Sequence, residues 1–363
     1  MSGKLHVLVV DDSPVARSLL TEILNAEPDI EVIGTACHGV EAVEKVALLH
    51  PDVVTMDVQM PRMDGYAATR EIMTTCPTPI VVVSGVGGST DAEKSMLSLD
   101  AGALAVIGKP SSPSSPDFEQ SARNFVNTVQ SMAAVSVIRR HRPRQTAEVT
   151  PGQTRHCELV VGSKPRLITI AASTGGPQAL RIVLGGIPAD FPIPIVIVQH
   201  ISPGFTEGLA AWLHGATAVK VKVAEDGEAL RPGYIYIAPE TVHCGVRAEE
   251  KLELIRRPPV SGFCPSATIL FESASRAFGK SHIAVVLTGM GKDGCEGLRS
   301  VHQTGGVIIA QNEATSVVYG MPKAPIDEGI ADLILPLAAI GPTLVQLVNT
   351  PGGRSTSGGS RQT

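Results

Sequence analysis

Aromatic side chains make up only 3% of these 363 residues, and there is one tryptophan. A surface that holds single-stranded nucleic acid by stacking its bases needs more rings than that, so no nucleic-acid partner is expected. Cysteines stand at 37, 76, 157, 244, 264 and 295, none in C-x-x-C spacing and none grouped with histidines at zinc-ligand spacing. Structural zinc is therefore not expected, and the thiols read as reduced groups of a cytoplasmic protein. No apolar run approaches the ~18–20 residues of a membrane span, and the short strand after Lys4 is too brief for a signal-peptide core; no direct membrane insertion is expected. Charge is sparse at 18%, with a net −5, and it is unevenly spread. Residues 1–110 hold 7 basic and 15 acidic side chains, a balance of −8, whereas the remaining 253 residues balance at +3. The length suits about two domains.

What the chain does have is a set of short apolar runs that stop at chemically useful residues. Leu8-Val9-Val10 ends in Asp11-Asp12, and Val53-Val54-Thr55-Met56 ends in Asp57. Ile80-Val81-Val82-Val83 ends in Ser84, and Ala105-Val106-Ile107-Gly108 ends in Lys109. Such runs read as buried parallel strands, predicted near 5–10, 31–36, 53–57, 80–83 and 104–107. Helical patterns lie between them at 14–26, 39–48, 65–74 and 91–100, and a last helix is predicted at 118–137. Alternating strand and helix implies a five-stranded parallel sheet covered on both faces, and open parallel sheets place their ligand sites beyond the carboxyl ends of the strands. Three carboxylates gathered there repel one another unless a hard cation binds; Mg²⁺ with phosphate oxygens fits them.

Residues 1–110, with these motifs in this order, resemble a response-regulator receiver domain. The resemblance implies that Asp57 accepts a phosphoryl group from a chemotaxis histidine kinase. It also implies that Asp11, Asp12 and Asp57 hold Mg²⁺ with the backbone carbonyl of Gln59. Lys109 would pair with the phosphoryl oxygens, and Ser84 would hydrogen-bond to the phosphoryl group. Val106 stands where such domains often carry an aromatic switch residue.

A linker is predicted at 138–165. Residues 139–166 hold seven basic and two acidic side chains, which suits either a solvated tether or a strip that docks on the acidic first domain. A second alternating pattern follows, with strands expected at 167–171, 193–198, 234–237, 283–287 and 307–310. Helices are expected at 177–184, 205–213, 267–278, 295–303, 321–328 and 337–348. Residues 350–363, rich in Gly, Ser and Thr, read as a disordered tail.

Three strand ends in this half carry chemistry. Ala171-Ala172-Ser173-Thr174-Gly175-Gly176-Pro177 is a strand, a small-residue turn and a helix start, loosely similar to a nucleophile elbow with Ala171 for its first glycine. Ser173 there is either a nucleophile or a helix N-cap. His200 ends Ile195-Val196-Ile197-Val198-Gln199, as a base or as a structural histidine. Asp293 follows Leu287-Thr288-Gly289-Met290-Gly291-Lys292, as an orienting acid or as half of a capping box with Glu296. Together on one sheet edge, the three supply a nucleophile, a base and a carboxylate.

Those stretches, with Ala224-Glu225-Asp226-Gly227-Glu228, Tyr236-Ile237-Ala238-Pro239 and Ala310-Gln311-Asn312-Glu313-Ala314, resemble the catalytic domain of the chemotaxis protein-glutamate methylesterases, the CheB family. The whole then reads as α/β, with two doubly wound parallel-sheet domains: a flavodoxin-like receiver at 1–137 and a Rossmann-like esterase domain at 166–349. The resemblance implies a phosphorylation-activated hydrolase. Ser173, His200 and Asp293 would be its triad, the amides near Thr174 and Met290 its oxyanion donors, and methylated chemoreceptor helices its substrate. Deamidation of receptor glutamines is a further implied activity, and no cofactor is expected at the esterase site. Phe263-Cys264-Pro265-Ser266-Ala267-Thr268 lacks the His-Arg before Pro and the later Asp common in that family, which leaves its role in gripping substrate open. Two other classes compete: a phosphorylation-gated binding module without catalysis, and a nucleotide-binding effector, for which the turn at Ser173 lacks G-x-G-x-x-G.

Overall fold

The computed structural model describes residues 3–85, 89–135 and 163–350, with side chains from 94 onward in the second stretch. Most of the expected linker, its basic strip, Cys157 and the expected tail from 351 on lie outside the described residues. The apolar runs form β1 (Leu5–Val10), β2 (Ile30–Ala36), β3 (Val53–Met56), β4 (Ile80–Ser84) and β5 (Ala105–Gly108). They pair in parallel in the order β2-β1-β3-β4-β5. Every residue of β3 and β4 is buried, as a strand covered on both faces requires. Helices α1 (Pro14–Asn25), α2 (Gly39–Leu49), α3 (Gly65–Thr75), α4 (Ser89–Ala101) and α5 (Phe118–Ala133) provide that cover. Ser13 and Asp64 cap α1 and α3 by accepting from the Ala16 and Ala67 amides, which stops the chain from continuing as strand beyond the acidic loops.

Residues 163–350 form a second layered unit. Its strands are β6 (Leu167–Ala172), β7 (Ile195–Gln199), β8 (Lys220–Val223), β9 (Tyr234–Ile237), β10 (His243–Arg247), β11 (Lys251–Ile255), β12 (His282–Val286), β13 (Val307–Gln311) and β14 (Leu333–Leu335). Its helices are α6 (Gly176–Gly185), α7 (Thr206–Ala216), α8 (Ala267–Phe278), α9 (Cys295–Thr304), α10 (Lys323–Asp327) and α11 (Leu337–Asn349). Seven strands pair in parallel in the order β14-β13-β12-β6-β7-β9-β8. The antiparallel hairpin β10–β11 stands apart. Of these, β8, β14 and the hairpin were not expected from sequence. The first alternates charge along Lys-Val-Lys-Val at a sheet edge, β14 is three residues long, and the hairpin turns through Glu250 at φ 58° without a glycine. α10 is shorter than expected, with Pro325 inside its five residues.

The two units share an interface. One apolar cluster includes Met96, Leu99 and Val106 of the first and Phe205 and Leu209 of the second. Around it, Gln178 Nε2 donates to Leu99 O at 2.7 Å. Trp212 Nε1 donates to Asp100 Oδ2 at 3.2 Å, and Arg181 pairs with Asp100. The Gly108 amide at the end of β5 donates to Ser202 Oγ at 2.9 Å. Val106, at the position where receiver domains often carry an aromatic, is thus buried in this shared cluster.

His282 opens β12, fully buried, with Nε2 2.6 Å from Thr169 Oγ1 of β6. Burial lowers its pKa from 6.5 to about 3. The folded state therefore refuses a proton that the unfolded chain accepts, and stability falls as pH drops from 6.5 toward about 3. A His282→Gln variant should show a shallower decline in urea midpoint over that window than the wild type. Equal slopes would assign the acid sensitivity to other groups.

Candidate active site and phosphoryl-acceptor site

Both sheets gather their chemistry where the strand order reverses. In the first, β1 and β3 are neighbours whose crossovers leave on opposite sides, and the crevice between their carboxyl ends holds Asp11 and Asp57. Asp11 is fully buried and Asp57 is 5% exposed. Asp11, Asp12 and Asp57 each bring a carboxylate oxygen within 4.8 Å of the others. The Lys109 ammonium lies 2.6 Å from Asp11 Oδ2 and 3.0 Å from Asp57 Oδ2, and the Val58 amide donates to Asp57 Oδ1 at 2.7 Å. Burial pushes the Asp57 carboxyl above its ordinary range, against the pull of Lys109 and with the Asp11 charge adding to the rise. Burial works the other way on Lys109, but its two carboxylates outweigh this and raise it. The donor set is all oxygen and carries excess negative charge, which fits a hard divalent cation. Ser84 is buried at the same edge, with Oγ directed to the Gly85 carbonyl at 3.3 Å. The expected site residues of this half are thus at one edge, and Gln59 follows in the loop after β3.

In the second sheet, β6 lies between β12 and β7, and the loops after these three strands meet. Ala172 pairs with Gln199, so Ser173 and His200 occupy the next register position on adjacent strands. The His200 amide donates to Ala172 O at 2.9 Å and the Ser173 amide to Thr288 O at 3.0 Å. Gln199 Nε2 ties the two together, donating to Ser173 O and His200 O, each at 2.8 Å. The turn after β12 approaches so closely that a Cβ on Gly289 would stand 2.7 Å from Ser173 Cβ. Ser173 is not a helix cap: Gly175, at φ 75°, holds the N-cap position of α6.

Asp293 is not a capping residue either, because Gly294 occupies that position for α9 without a side-chain bond. Its oxygens go elsewhere. Oδ2 faces His200 Nε2 at 2.9 Å and accepts from the Ala267 amide at 2.7 Å. Oδ1 accepts from Ser266 Oγ at 2.7 Å and Thr268 Oγ1 at 3.1 Å. Burial alone would raise this carboxyl, but the His200 contact and these donors outweigh it and hold it below its ordinary range. His200 Nδ1 is buried with no partner, so it is the nitrogen free to face a proton donor. No hydrogen bond joins Ser173 Oγ to it here; such bonds often tighten only when substrate binds. The Thr174 and Met290 amides donate to no other described residue. The sequence singled out Phe263–Thr268 only as a departure with an open part in gripping substrate; the contacts of Ser266 and Thr268 with Asp293, and of the Phe263 ring with His200, were not legible there. The motif S-A-T before a helix signals only a cap, and nothing in it names Asp293 as its acceptor.

Ser173, His200, Phe263 and Met290 line a cavity of about 600 Å³ whose opposite wall is Lys109, Asn124 and Thr128 of the first unit. A serine, a histidine and an aspartate at one sheet edge, walled by a unit with an acid cluster at its own edge, are the arrangement expected of a response-regulator enzyme. Comparison with known proteins gives the family. The family model described as CheB methylesterase matches residues 168–344, and that of the response regulator receiver domain matches residues 7–115. The chain is 50% identical over 349 residues to protein-glutamate methylesterase/protein-glutamine glutaminase 4 of Myxococcus xanthus (strain DK1622), covering 96% of this chain and 98% of that protein. It is 44% identical to protein-glutamate methylesterase/protein-glutamine glutaminase 1 of Syntrophus aciditrophicus (strain SB), covering 95% and 99% respectively. The crystal structure of the Thermotoga maritima CheB methylesterase catalytic domain aligns with a TM-score of 0.50 and 41% identity, over 51% of this chain and all of that one. The chain belongs to the CheB family of protein-glutamate methylesterases and is a hydrolase with a receiver domain.

A carboxyl whose folded pKa lies above its unfolded value lowers stability once pH rises through the folded value. Ionised Asp57 therefore weakens the fold at neutral pH without metal. Asp57→Asn should raise the urea midpoint in chelator-treated buffer, since Asp11 still pairs with Lys109. Mg²⁺ should stabilise the wild type by binding only the native state and stabilise the variant less. A variant midpoint equal to or below that of the wild type in chelator would contradict this.

Proposed function

We propose that this protein removes methyl esters from glutamate side chains of chemoreceptor cytoplasmic helices, and that phosphorylation of Asp57 by a chemotaxis histidine kinase switches it on. The observation that carries the reading is the adjacent register of Ser173 and His200, with His200 held by Asp293 on the same sheet edge. Ser173 Oγ attacks the ester carbonyl while His200 takes its proton through Nδ1, and Asp293 stabilises the imidazolium. The Thr174 and Met290 amides receive the oxyanion; one such donor is worth ~3–4 kcal/mol of transition-state stabilisation. The imidazolium then protonates departing methanol, and water, deprotonated by His200, frees glutamate from the acyl-enzyme. A receptor glutamine would follow the same steps with ammonia leaving, the second activity in the relatives' names. We take residues 1–137 as receiver, 138–165 as linker, 166–349 as catalytic domain and 350–363 as tail.

In the receiver, Asp11, Asp12, Asp57 and the Gln59 carbonyl would hold Mg²⁺, which offsets charge on the incoming phosphoryl group. Lys109 would then exchange its carboxylate partners for phosphoryl oxygens, with Ser84 as a second contact. Lys109 directly follows Gly108, whose amide holds Ser202, two residues beyond His200. The receiver wall over the cavity supports inhibition in the unphosphorylated state, relieved when that loop rearranges. The reaction belongs in the cytoplasm, where the kinase and the receptor helices meet; no helix among the described residues is long and apolar enough to cross a membrane.

Methanol release from methylated receptor, with and without acetyl phosphate, tests the reading. Acetyl phosphate should raise the rate for wild type and leave Asp57→Asn unchanged. Ser173→Ala should abolish turnover and labelling by a serine-reactive phosphonate while keeping the wild-type unfolding midpoint. Turnover by folded Ser173→Ala would remove Ser173 from its role. Deleting residues 1–165 should raise the basal rate; a fragment no faster than the unphosphorylated full chain would count against inhibition by the receiver.

A further inference from the structure

The segment 260–268 folds back on itself before entering α8. Val260 N–H donates to Phe263 O at 3.0 Å and Phe263 N–H returns a bond to Val260 O at 2.9 Å. The turn between them passes through Ser261 at φ 51° and Gly262 at φ 86°. This closure directs the Phe263 ring into the cavity, where it lies on the His200 imidazole with centroids 4.1 Å apart and planes 12° from parallel. A few residues on, the same segment supplies four donors from Ser266, Ala267 and Thr268 that hold Asp293. One loop thus touches both the base and its orienting acid.

Among the described residues the imidazole has one hydrogen bond, to Asp293. A single such bond fixes a point on the ring and leaves the ring plane free to turn about the bond axis. Nδ1, which has no partner of its own, would then lose its fixed direction. A flat ring packed on the imidazole face removes that freedom. We propose that Phe263 is a positioning residue of the esterase site: it fixes the plane of His200 so that Nδ1 stays presented to Ser173, and its π face meets the imidazolium formed when the proton arrives. The face of an aromatic ring is the negative side of its quadrupole, and it attracts a cation lying within about 6 Å of the centroid. Phe263 transfers no proton itself; its effect passes through His200. The inference rests on the triad reading above. It also gives a role to the departure at 263–264, where the family pattern has His-Arg and this chain has an apolar ring and a thiol.

The test uses the full chain treated with acetyl phosphate, as wild type, Phe263→Leu, Phe263→Tyr and Ser173→Ala. Methanol release is measured with the rate of phosphonate labelling at Ser173 and the NMR shifts of the His200 ring protons. Phe263→Leu keeps the cavity wall apolar but removes the stacked plane. It should lose about 10- to 100-fold in kcat with KM within about twofold, because misorientation of a reacting group is felt in the chemical step. Labelling should slow in parallel, and the His200 ring protons should move downfield as the ring current is lost. Phe263→Tyr keeps the π face and should stay within about threefold of wild type. A Phe263→Leu enzyme with wild-type kcat and labelling rate overturns the assignment, as does a folded Phe263→Tyr enzyme as slow as Phe263→Leu. Ser173→Ala separates this proposal from the one it rests on. Turnover by that variant sinks the triad itself, whereas a dead Ser173→Ala beside a fast Phe263→Leu sinks only the role of Phe263.

Discussion

Parallel pairing sends every strand of a sheet out at the same edge, and the crossover helices separate where the strand order reverses. That geometric constraint sets where chemistry can occur in both halves of this chain. At the first reversal it brings together side chains after β1 and β3; at the second, side chains after β6, β7 and β12. Residues tens of positions apart or more need no special guidance to meet, because the sheet register does it. Ser173 and His200 are 27 positions apart in sequence and one register step apart in space.

The two crevices bury a carboxylate to nearly the same depth, Asp57 at 5% exposure and Asp293 at 4%, yet the groups shift in opposite directions. Donor count decides the difference. Asp57 receives Lys109 and one backbone amide, shares that lysine with Asp11 and feels the Asp11 charge. Burial therefore wins, and the site keeps an unmet demand for positive charge. Asp293 receives His200, two hydroxyls and two backbone amides, and the donors win. A carboxylate already satisfied has little to gain from a cation, but it can hold an imidazole through a protonation cycle. One fold class thus supplies a crevice suited to a cation and another suited to holding an imidazole by changing what surrounds one acid.

Much of this was legible in the chain because strands buried on both faces leave uninterrupted apolar runs, and the residue ending each run is the one at the active edge. β1, β3, β4, β6, β7 and β12 announce themselves in that way, and with them Asp11, Asp57, Ser84, Ser173 and His200. Edge elements do not. β8 alternates lysine with valine, as an edge strand guarded against pairing does, and β14 is too short to show a period. Asp293 was legible only through its company, since as a lone acid before a helix it equally suits a cap. The Ser266, Thr268 and Phe263 contacts carry no local signal at all: each acts on a residue 25 or more positions away along the chain, or in Phe263's case on a ring across the sheet edge.

The segment 263–268 departs from the family pattern and still surrounds Asp293 with donors. Its inward groups, Ser266 Oγ, the Ala267 amide and Thr268 Oγ1, are buried donors to one carboxylate, and losing any of them would leave a buried charge short of a partner. Phe263 and Cys264 face the cavity instead. A threonine hydroxyl at 268 satisfies Asp293 without adding a second negative charge beside it, which an aspartate there would do unless a further cation came with it. The apolar ring at 263 brings no hydrogen-bonding group to the imidazole face. The changes at 263 and 264 therefore fall on how the cavity is shaped, and the change at 268 still supplies Asp293 with a neutral donor.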